Sequence, residues 1–362
     1  MKFVIQLLLI SFTVLHVNAQ QRNFLIMGKV IDSATQQPLS GASVFAQNTT
    51  YGTTCNADGV FGLKLPNGGY DLVISYTGYE KKSIRVSNTQ QLTDSIIFPL
   101  VQINNSLSEV AVVATNEVQN GWERFGQFFF DNFIGTTPNA AKCVIVNPQS
   151  LHFFYTKNKK RHRLKVTADQ DLMIQNNALG YLIRYQLDSF SYDYNSNISQ
   201  YTGSPFFIET DTVETVKEEW KKNRARTYLG SRLHFMTSLY DSTVNDEGFF
   251  VEKLEGDGSD AKGTFIEDLY DSTLYSVDSN SVVINWEGRY RISYKSVFPD
   301  KKFLQEFKLP ENTKVQVTLL DVAGPFVIEE NGYFYEQYDV TNTGYWAWKK
   351  LAESLPYDYG YE

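Results

Sequence analysis

The stretch GTTCNADGVFGLKL, residues 52–65, decides the fold of the first part of the chain. Its Asp58-Gly59 pair is followed by Phe61, Leu63 and Leu65 at alternate positions. An Asp-Gly pair next to alternating apolar residues is a strong hairpin-turn signal, because glycine accepts the positive φ that such turns require. The stretch therefore predicts a hairpin turn followed by a half-buried β-strand.

The same residues resemble a calcium loop, because Asn56 and Asp58 stand ahead of Gly59. An EF-hand loop needs a carboxylate at position 1 and a bidentate glutamate at position 12. When Gly59 is aligned with the invariant glycine of the loop, these two positions are Thr54 and Leu65, and neither side chain is a carboxylate. We therefore expect Asn56 and Asp58 to hydrogen-bond nearby backbone in a turn.

Further strand-like segments surround this turn, with Pro, Gly, Ser and Asn in the connections. They are FLIMGKVID, SVFAQ, DLVISY, KKSIRV and DSIIFPL. Closely spaced short strands without a helical segment are typical of a β-sandwich. We predict a seven-stranded antiparallel β-sandwich over residues 24–100.

These segments carry a family resemblance in four landmarks: Gly28-Lys29-Val30, Pro38-Leu39-Ser40-Gly41-Ala42, Asn56-Ala57-Asp58-Gly59 and Tyr76-Thr77-Gly78-Tyr79. They are similar to the carboxypeptidase-regulatory-like domain, a transthyretin-like sandwich. The resemblance implies an exported protein of a Bacteroidetes-type bacterium. It implies no peptidase, because in metallocarboxypeptidases this module is a non-catalytic attachment.

The N-terminus predicts export through a signal peptide at residues 1–19. Lys2 precedes the apolar run Phe3–Leu15, and small residues at Val17-Asn18-Ala19 suit cleavage before Gln20. The alternative is an N-terminal anchor, although a spanning helix needs about 20 apolar residues. No later segment is long and apolar enough to span. We expect a periplasmic or outer-membrane-associated protein without a transmembrane span after signal removal.

The remainder is predicted as a linker at 101–117 and an α+β domain at 118–362. Three segments show helical spacing: GWERFGQFFFDNFIG, VETVKEEWKKNRARTYLGSRLHFMTSLYD and GYWAWKKLAESLP. Between them lie strand-like segments, with turns at Asn176-Asn177 and Glu287-Gly288. This region also resembles the second domain of exported two-domain proteins that carry the same sandwich. That resemblance bears on architecture and implies no reaction.

Metal catalysis is not supported by the histidines of the mature chain, His152, His162 and His234. None lies in an H-E-x-x-H pattern, and a zinc peptidase needs two imidazoles and a carboxylate on one ion. His152 and His162 flank a predicted hairpin turn, and the alternatives are two ordinary strand histidines or a metal pair. Asp257 and Asp260 in EGDGSD form either a solvated loop or a cation site.

Nucleophilic catalysis has no sequence support either. No G-x-S-x-G elbow occurs. Cys143 in AKCVIVNP has the setting of a buried strand. Cys55 and Cys143 form either one disulfide or two buried thiols. We predict a non-enzyme, with no catalytic, cofactor-binding or metal-binding residue and no cofactor.

Two kinds of side chain remain as interaction candidates. The net charge of −8 and the export signal argue against nucleic acid. Basic residues cluster in KNKKRHR, Lys157–Arg163, and along one predicted helix at Lys217, Lys221, Lys222, Arg224 and Arg226. Each cluster is either a site for an anionic partner or a solvated surface. Five aromatic residues could stack on a sugar if their rings are exposed, and they are core residues if the rings are buried. They are Trp286, Tyr290, Tyr345, Trp346 and Trp348.

Three hypotheses for function follow. The first is a non-enzymatic envelope protein whose sandwich serves interaction or presentation and whose second domain binds a partner protein or envelope component. The second is a carbohydrate-binding accessory of an outer-membrane nutrient uptake system. The third is an enzyme of unrecognised type.

Overall fold

The computed structural model describes residues 23–88, 96–103, 117–159, 161–256 and 261–361. The predicted signal peptide, residues 1–19, lies outside these ranges, as does most of the predicted linker at 101–117. Within them the chain is mainly β, with a sandwich followed by an α+β region, as the sequence predicts.

The first part of the chain forms two facing sheets. Its strands are β1 (Asn23–Asp32), β2 (Ser43–Ala46), β3 (Gly52–Thr54), β4 (Val60–Pro66), β5 (Gly69–Ser75), β6 (Lys82–Ser87) and β7 (Ile96–Leu100). One sheet has the order β4-β1-β7 and the other β3-β2-β5-β6. The predicted seven-stranded sandwich is confirmed. One pair departs from a fully antiparallel arrangement, because β7 runs parallel to β1, with Gly28 opposite Ile96.

The turn at Asp58-Gly59 is confirmed, but the hairpin pairing is wrong. β3 and β4 flank the turn and belong to different sheets. Asn56 Oδ1 accepts the N–H groups of Asp58 and Val60 at 3.0 and 2.9 Å, whereas the Asp58 side chain makes no such bond among the described residues. Gly59 has φ +73°, and its carbonyl accepts the N–H of Val30 at 2.8 Å. This bond draws β4 onto β1 and away from β3.

Strand alternation explains the sandwich core. Phe61, Leu63 and Leu65 on β4 are 3%, 5% and 0% exposed, so the predicted apolar face is buried. Val44 on β2 and Leu72 on β5 belong to the same core. Successive side chains of a strand point to opposite faces, so the neighbours of Val44 and Leu72 point away from this core.

The second region begins with helix α1 (Gly121–Phe133), which packs on a six-stranded sheet. The strands are β8 (Cys143–Ile145), β9 (Leu151–Lys157), β10 (His162–Ala168), β11 (Leu172–Asn176), β12 (Tyr181–Asp193) and β13 (Ile198–Glu209). The helix predicted from GWERFGQFFFDNFIG is confirmed, and its aromatic side chains form its packed face: Phe129 and Phe133 are fully buried, while Trp122 at its edge is 36% exposed.

The long helical stretch predicted from VETVKEEWKKNRARTYLGSRLHFMTSLYD is two helices, α2 (Glu214–Tyr228) and α3 (Arg232–Tyr240). Gly230 between them has φ +72°, a conformation that ends a helix. Ser231 then begins α3, because its Oγ accepts the N–H of His234 at 3.1 Å. A capping glycine and a capping serine are therefore the physical reason for the break.

The remaining elements form two sheets around a second core. They are β14 (Phe249–Glu255), β15 (Lys262–Phe265), β16 (Tyr275–Asp278), β17 (Ser281–Ile284), β18 (Gly288–Tyr294), α4 (Lys301–Glu306), β19 (Gln316–Val322), β20 (Phe326–Glu329), β21 (Val340–Gly344) and α5 (Tyr345–Trp348). The sheet orders are β15-β14-β18-β19-β21 and β16-β17-β20. The predicted final helix is α5 followed by a 3₁₀ turn at Leu351–Glu353. None of the helices in the described ranges has the length and apolarity that a membrane crossing requires.

The sandwich is joined to the second region by backbone hydrogen bonds. Asn48 donates its N–H to the carbonyl of Pro205 at 2.8 Å, and Phe207 donates to the carbonyl of Thr49 at 3.0 Å. Tyr357 donates to the carbonyl of Asn48 at 2.7 Å. The turn after β2 is therefore held between β13 and the segment around Tyr357.

Side chains extend this junction along the outer face of the four-stranded sheet. Phe45 and Val73 are fully buried but lie outside the sandwich core cluster. Phe45 instead packs on Phe206, with ring centroids 5.2 Å apart. Lys81 forms an ion pair with Asp188 at 2.6 Å. Both faces of this sheet are therefore packed in part, which fixes the sandwich against its neighbour.

Candidate functional site

A cavity of about 560 Å³ lies where the sandwich, β13, α3 and the α5 segment meet. Asn48 contributes from the sandwich, Tyr201 from β13, Arg232 from α3 and Lys349 from the residues after α5. Cavities of roughly 300–1,000 Å³ with a few polar groups on an apolar lining are typical small-molecule sites. Because its lining comes from four parts of the chain, this cavity exists only in the assembled fold.

Arg232 is the first residue of α3 and follows directly on the Ser231 cap. Its guanidinium carbon lies 5.5 Å from the ring centroid of Phe334, a cation–π contact. The side chain remains exposed to the cavity and solvent. The helix cap therefore fixes where this positive charge stands.

Lys349 and Lys350 lie directly after α5. Lys349 Nζ is 5.2 Å from the ring centroid of Tyr345, and Lys350 Nζ donates to Ser199 Oγ at 3.4 Å. Burial lowers the pKa of both lysines. The carboxylates Glu353 and Asp300 oppose that shift at Lys349, and Glu306 opposes it at Lys350, in each case only in part. The two ammonium groups are thus partly removed from water, and the nearby carboxylates do not come within ion-pair distance of them in the described part of the chain.

Glu353 is the carboxylate of the described cavity lining. Its Oε2 accepts hydrogen bonds from Asn139 Nδ2 at 3.1 Å and from Thr227 Oγ1 at 3.2 Å. In the described part of the chain, no carboxylate oxygen lies within 4.0 Å of a cationic nitrogen of Arg232, Lys349 or Lys350. The cavity therefore has an excess of positive charge.

Two phenols complete the polar lining. Burial raises the pKa of Tyr201 and Tyr357, and the charge of Arg232 opposes the shift at both. The hydroxyl groups consequently stay neutral at physiological pH and remain hydrogen-bond donors. The cavity offers cations, phenols and amides, a set suited to binding.

The histidine candidates are not brought together. In the β9–β10 hairpin His152 pairs with Thr167 and His162 pairs with Lys157, so the two lie at opposite ends. His152 Nδ1 lies 2.8 Å from Glu117 Oε1, which raises the pKa of this histidine. The hairpin is confirmed, and its length keeps the two rings apart.

His234 lies in the second core and is 2% exposed. Its Nδ1 accepts the N–H of Gly230 at 3.1 Å, so Nε2 carries the proton and donates to Glu247 at 3.1 Å. Burial lowers the pKa of His234 despite this carboxylate. Both ring nitrogens are therefore engaged in holding the start of α3.

The two cysteines and the remaining candidate metal ligands do not form a site in the described residues. Cys55 and Cys143 are free and buried in separate clusters, so the disulfide alternative is not formed. Asp257 and Asp260 lie outside the described residues. Within the described ranges, no group of three or more His, Cys, Asp or Glu side chains is arranged to hold a metal ion.

Of the basic residues predicted along α2, Arg224 makes internal contacts, whereas the other four are exposed. Arg224 donates through Nε to the carbonyl of Leu179 at 2.7 Å and lies 3.9 Å from the ring centroid of Tyr181. Lys217 pairs with Asp211 at 2.8 Å. Arg224 thus attaches α2 to the β11–β12 turn. Of the other basic cluster, residues 157–159 and 161–163 lie at the tip of the β9–β10 hairpin, and residue 160 lies outside the described residues.

The five sugar-stacking candidates are core residues. Trp286, Tyr290, Tyr345, Trp346 and Trp348 are 1%, 1%, 3%, 7% and 5% exposed. Their strand and helix positions face the second core and a small cluster beside it, so little of any of these rings is exposed to stack on a sugar. Of the five, Trp346 borders the cavity.

Sequence reasoning missed Arg232, Lys349 and Lys350 as site residues. Arg232 stood inside a stretch interpreted as one continuous helix, and the two lysines stood at the end of another predicted helix. The Gly230-Ser231 cap pattern was the available signal for a helix start beside Arg232. No local pattern marks the lysines, because their role depends on distant residues.

Comparison with known proteins agrees with the N-terminal fold. Residues 26–112 match the family model described as CarboxypepD_reg-like domain, so the predicted domain is confirmed. The chain is 32% identical over 115 residues to TonB-dependent receptor P39 of Formosa agariphila, and 28% identical over 104 residues to TonB-dependent receptor P3 of the same organism.

These matches cover 32% and 29% of this chain and 10% of each receptor. They are consistent with a protein of Bacteroidetes type. The chain spans about a tenth of the length of the curated relatives it matches, so what those receptors do as whole proteins is not carried over to it.

Proposed function

We propose that this protein is a non-enzymatic, exported envelope protein that binds a partner or envelope component at the cavity between its sandwich and its second region. The observation that carries the proposal is the composition of that cavity, to which both parts of the chain contribute. The sandwich is then a fixed part of the binding unit, because its 47–50 turn shares backbone hydrogen bonds with the second region. The receptor matches support an envelope location.

The side chains at the cavity support binding in preference to catalysis. Its described lining includes no histidine and no cysteine. General-base catalysis needs a base within hydrogen-bond reach of the reacting group. In this lining the groups of that kind are Glu353, Lys349 and Lys350, of which Glu353 already accepts two hydrogen bonds. The ring of His234 is buried outside this lining and both its nitrogens are engaged, one of them with the exposed Glu247. An enzyme of unrecognised type remains an outcome of the test below.

The test is site-specific crosslinking in the native envelope. A photoreactive residue replaces Ile198, which borders the cavity and is 54% exposed. The matched control replaces Val277, a strand residue that is 70% exposed and is not part of the cavity lining. We expect a crosslinked envelope component at position 198 and none at position 277. Equal labelling at both positions would overturn the proposal.

Catalysis is tested on the purified protein with peptide and glycan substrates. We expect no hydrolysis above that of a heat-unfolded sample. Hydrolysis that disappears on replacing a single cavity residue such as Ser231 or Ser354 would replace the binding proposal with an enzyme.

A carbohydrate-binding accessory of an outer-membrane nutrient uptake system is the second candidate. Two observations favour it: the matched relatives are TonB-dependent receptors, and Tyr201 and Tyr357 present phenols to the cavity. Binding of soluble oligosaccharides by calorimetry, lost in Tyr201→Ala and Tyr357→Ala and retained in Trp286→Phe, would support it. The distinction is sharp because Trp286 is buried in the core.

A further inference from the structure

We infer that the junction cavity recognises its ligand through an oxyanion, a carboxylate, phosphate or sulfate group, held by Arg232, Lys349 and Lys350. The inference rests on the proposed function in one respect, that this cavity is the ligand site. It adds the chemical class of the ligand and the residues that select it.

The first argument is the sign of the local charge. The chain carries a net charge of −8, yet the cavity lining holds three cationic side chains and one carboxylate. That carboxylate, Glu353, already accepts two hydrogen bonds from Asn139 and Thr227. A cleft lined by one sign of charge raises the local concentration of oppositely charged ligands. Here the favoured ligand is an anion.

The second argument is the desolvation of the two lysines. Moving an ammonium group out of water is unfavourable unless it gains an opposite charge or good hydrogen bonds. Lys350 has a neutral hydroxyl as its acceptor, at the long distance of 3.4 Å from Ser199. Lys349 has the face of Tyr345 at 5.2 Å. Burial lowers the pKa of both although Glu353 and Asp300 act on Lys349 and Glu306 on Lys350, and a bound oxyanion would oppose that shift from within contact distance.

The third argument is the direction of α3. Its first turn borders the cavity through Ser231, Arg232 and Leu233, and the helix is nine residues long. The N-terminus of a helix presents unpaired N–H groups and the positive end of the helix dipole. Ser231 uses its hydroxyl to cap the N–H of His234. The helix end therefore adds to the positive potential that the three side chains create.

The rest of the lining indicates what carries the oxyanion. Tyr201, Tyr357 and Asn342 add neutral hydrogen-bonding groups, and Phe334 and Trp346 add apolar surface. A bare inorganic ion would occupy a small part of about 560 Å³. The cavity accordingly fits a small organic molecule that has polar groups and one acidic group.

The test is a ligand titration of the full mature protein, monitored by calorimetry and by Trp fluorescence. The probes are glucuronate, glucose 6-phosphate, inorganic phosphate and inorganic sulfate. Glucose is the neutral matched probe, and sodium chloride at equal ionic strength is the screening control. We expect saturable binding of at least one acidic probe and none of glucose. Trp346 borders the cavity, so its fluorescence should change on binding.

Charge-neutral variants identify the residues. Lys349→Gln and Lys350→Gln should each weaken binding about tenfold or more, and Arg232→Gln should act in the same direction. Lys349→Arg keeps the charge and should retain most of the affinity. Lys64→Gln, an exposed lysine of the sandwich, is the matched control and should change nothing.

Loss of binding in these variants can be distinguished from loss of folding. Replacing a partly buried ammonium with a neutral amide removes a desolvation penalty, so the glutamine variants should unfold at the same temperature as the wild type or higher. If a variant unfolds early, Lys349→Met serves as a second neutral replacement of similar length.

Two results would overturn the inference. One is that no acidic probe binds at millimolar concentration while glucose or a neutral glycan does. The other is that binding of the acidic probe is unchanged in the Lys349→Gln, Lys350→Gln double variant. In both cases the proposed function stands if position 198 still crosslinks to an envelope component. If position 198 fails to crosslink and the acidic probes bind, the envelope proposal fails instead.

Discussion

The carboxylate of Asp358 accepts two hydrogen bonds from Thr50, although the two residues are 308 positions apart in the sequence. The backbone N–H of Thr50 donates to Oδ1 at 2.9 Å, and its hydroxyl donates to Oδ2. With the bond from Tyr357 to Asn48, this contact ties the end of the described chain to the sandwich turn. The sandwich and the second region are thereby joined at both sides of the 47–50 turn.

Replacing Asp358 with Ala should destabilise the junction. The N–H of Thr50 then loses its acceptor in a half-buried position, which costs about 1–3 kcal/mol in the free energy of unfolding. Denaturant unfolding of Asp358→Ala, Thr50→Ala and the double variant should give a coupling energy of about 0.5–3 kcal/mol. Asp211→Asn, which removes a surface ion pair whose aspartate side chain is 91% exposed, is the control and should have no measurable effect. Additive single effects would show that the two residues do not act together.

Gly52 and Gly62 form a matched pair for testing the docked face. A Cβ on Gly52 would lie 2.8 Å from the ring of Phe206, which packs on Phe45, whereas one on Gly62 would meet Leu25 at 3.8 Å. Gly52→Ala should therefore lower the free energy of unfolding by about 1–3 kcal/mol through overpacking. Gly62→Ala should be tolerated. Equal effects in calorimetric unfolding would contradict the docked arrangement.

The burial of Glu329 should make the free energy of unfolding depend on pH. It is 2% exposed, Tyr335 donates to its Oε1 at 2.7 Å, and its Oε2 has no hydrogen-bond partner among the described residues. Burial, with a smaller effect of Glu330, raises its pKa above the ordinary value of 4.5.

The folded protein therefore holds this proton to higher pH than the unfolded chain does. The contribution of Glu329 to the free energy of unfolding falls as pH rises from about 4.5 through the raised pKa. Glu329→Gln should remove that slope and raise stability above pH 7 relative to wild type. Glu330→Gln, the exposed neighbour, should leave most of the slope. Urea unfolding at half-unit pH steps measures both, and an unchanged slope in Glu329→Gln would refute the assignment.

Trp286 should act as a core residue and not as a sugar platform. It is 1% exposed and stacks on Tyr290 with ring centroids 4.5 Å apart. Trp286→Ala should cost about 3–5 kcal/mol in the free energy of unfolding. Trp122→Ala, at a residue 36% exposed, should cost clearly less. A stable Trp286→Ala variant that loses glycan binding would restore the stacking hypothesis.

Both cysteines should be unreactive in the folded protein. Burial raises the pKa of Cys55 to about 11 and that of Cys143 to about 12, so little thiolate is present at neutral pH. Iodoacetamide at pH 8 should label neither residue until denaturant is added, and then both. Rapid labelling of the native protein, or a mass two units lower from a disulfide, would be inconsistent with two buried thiols.

Local sequence patterns predicted the structure correctly wherever the conformation of an element depends on its own neighbouring residues. Alternation at Phe61, Leu63 and Leu65 placed β4 correctly, because successive strand residues face opposite sides. The turn at Asp58-Gly59 was correct for a similar reason. Its partner strand was wrong, since the bond from Val30 to Gly59 that draws β4 onto β1 is not a local feature.

Sequence patterns also led to two errors, the prediction of a single helix where there are two and the choice of buried aromatic residues as candidates for a sugar site. Apolar spacing across Leu229 and Leu233 suggested one helix, whereas the positive φ of Gly230 ends α2 and Ser231 begins α3. The Trp and Tyr rings proposed for sugars are common in strands, and composition alone does not tell a half-buried face from a fully buried one. Trp286 and Tyr290 are buried because a second sheet and α3 cover them.

The sequence by itself determined the sandwich, its family and the amphipathic α1, because strand alternation, turn chemistry and helical spacing are properties of neighbouring residues. Tertiary structure alone decided the cavity. Arg232 and Lys349 both line this cavity because of the helix break at Gly230 and the packing of α5 on β19 and β21. The two lysines after α5 differ from ordinary surface lysines because tertiary packing partly buries them with no carboxylate oxygen of the described residues within 4.0 Å, and this is what suits them to the proposed anion site.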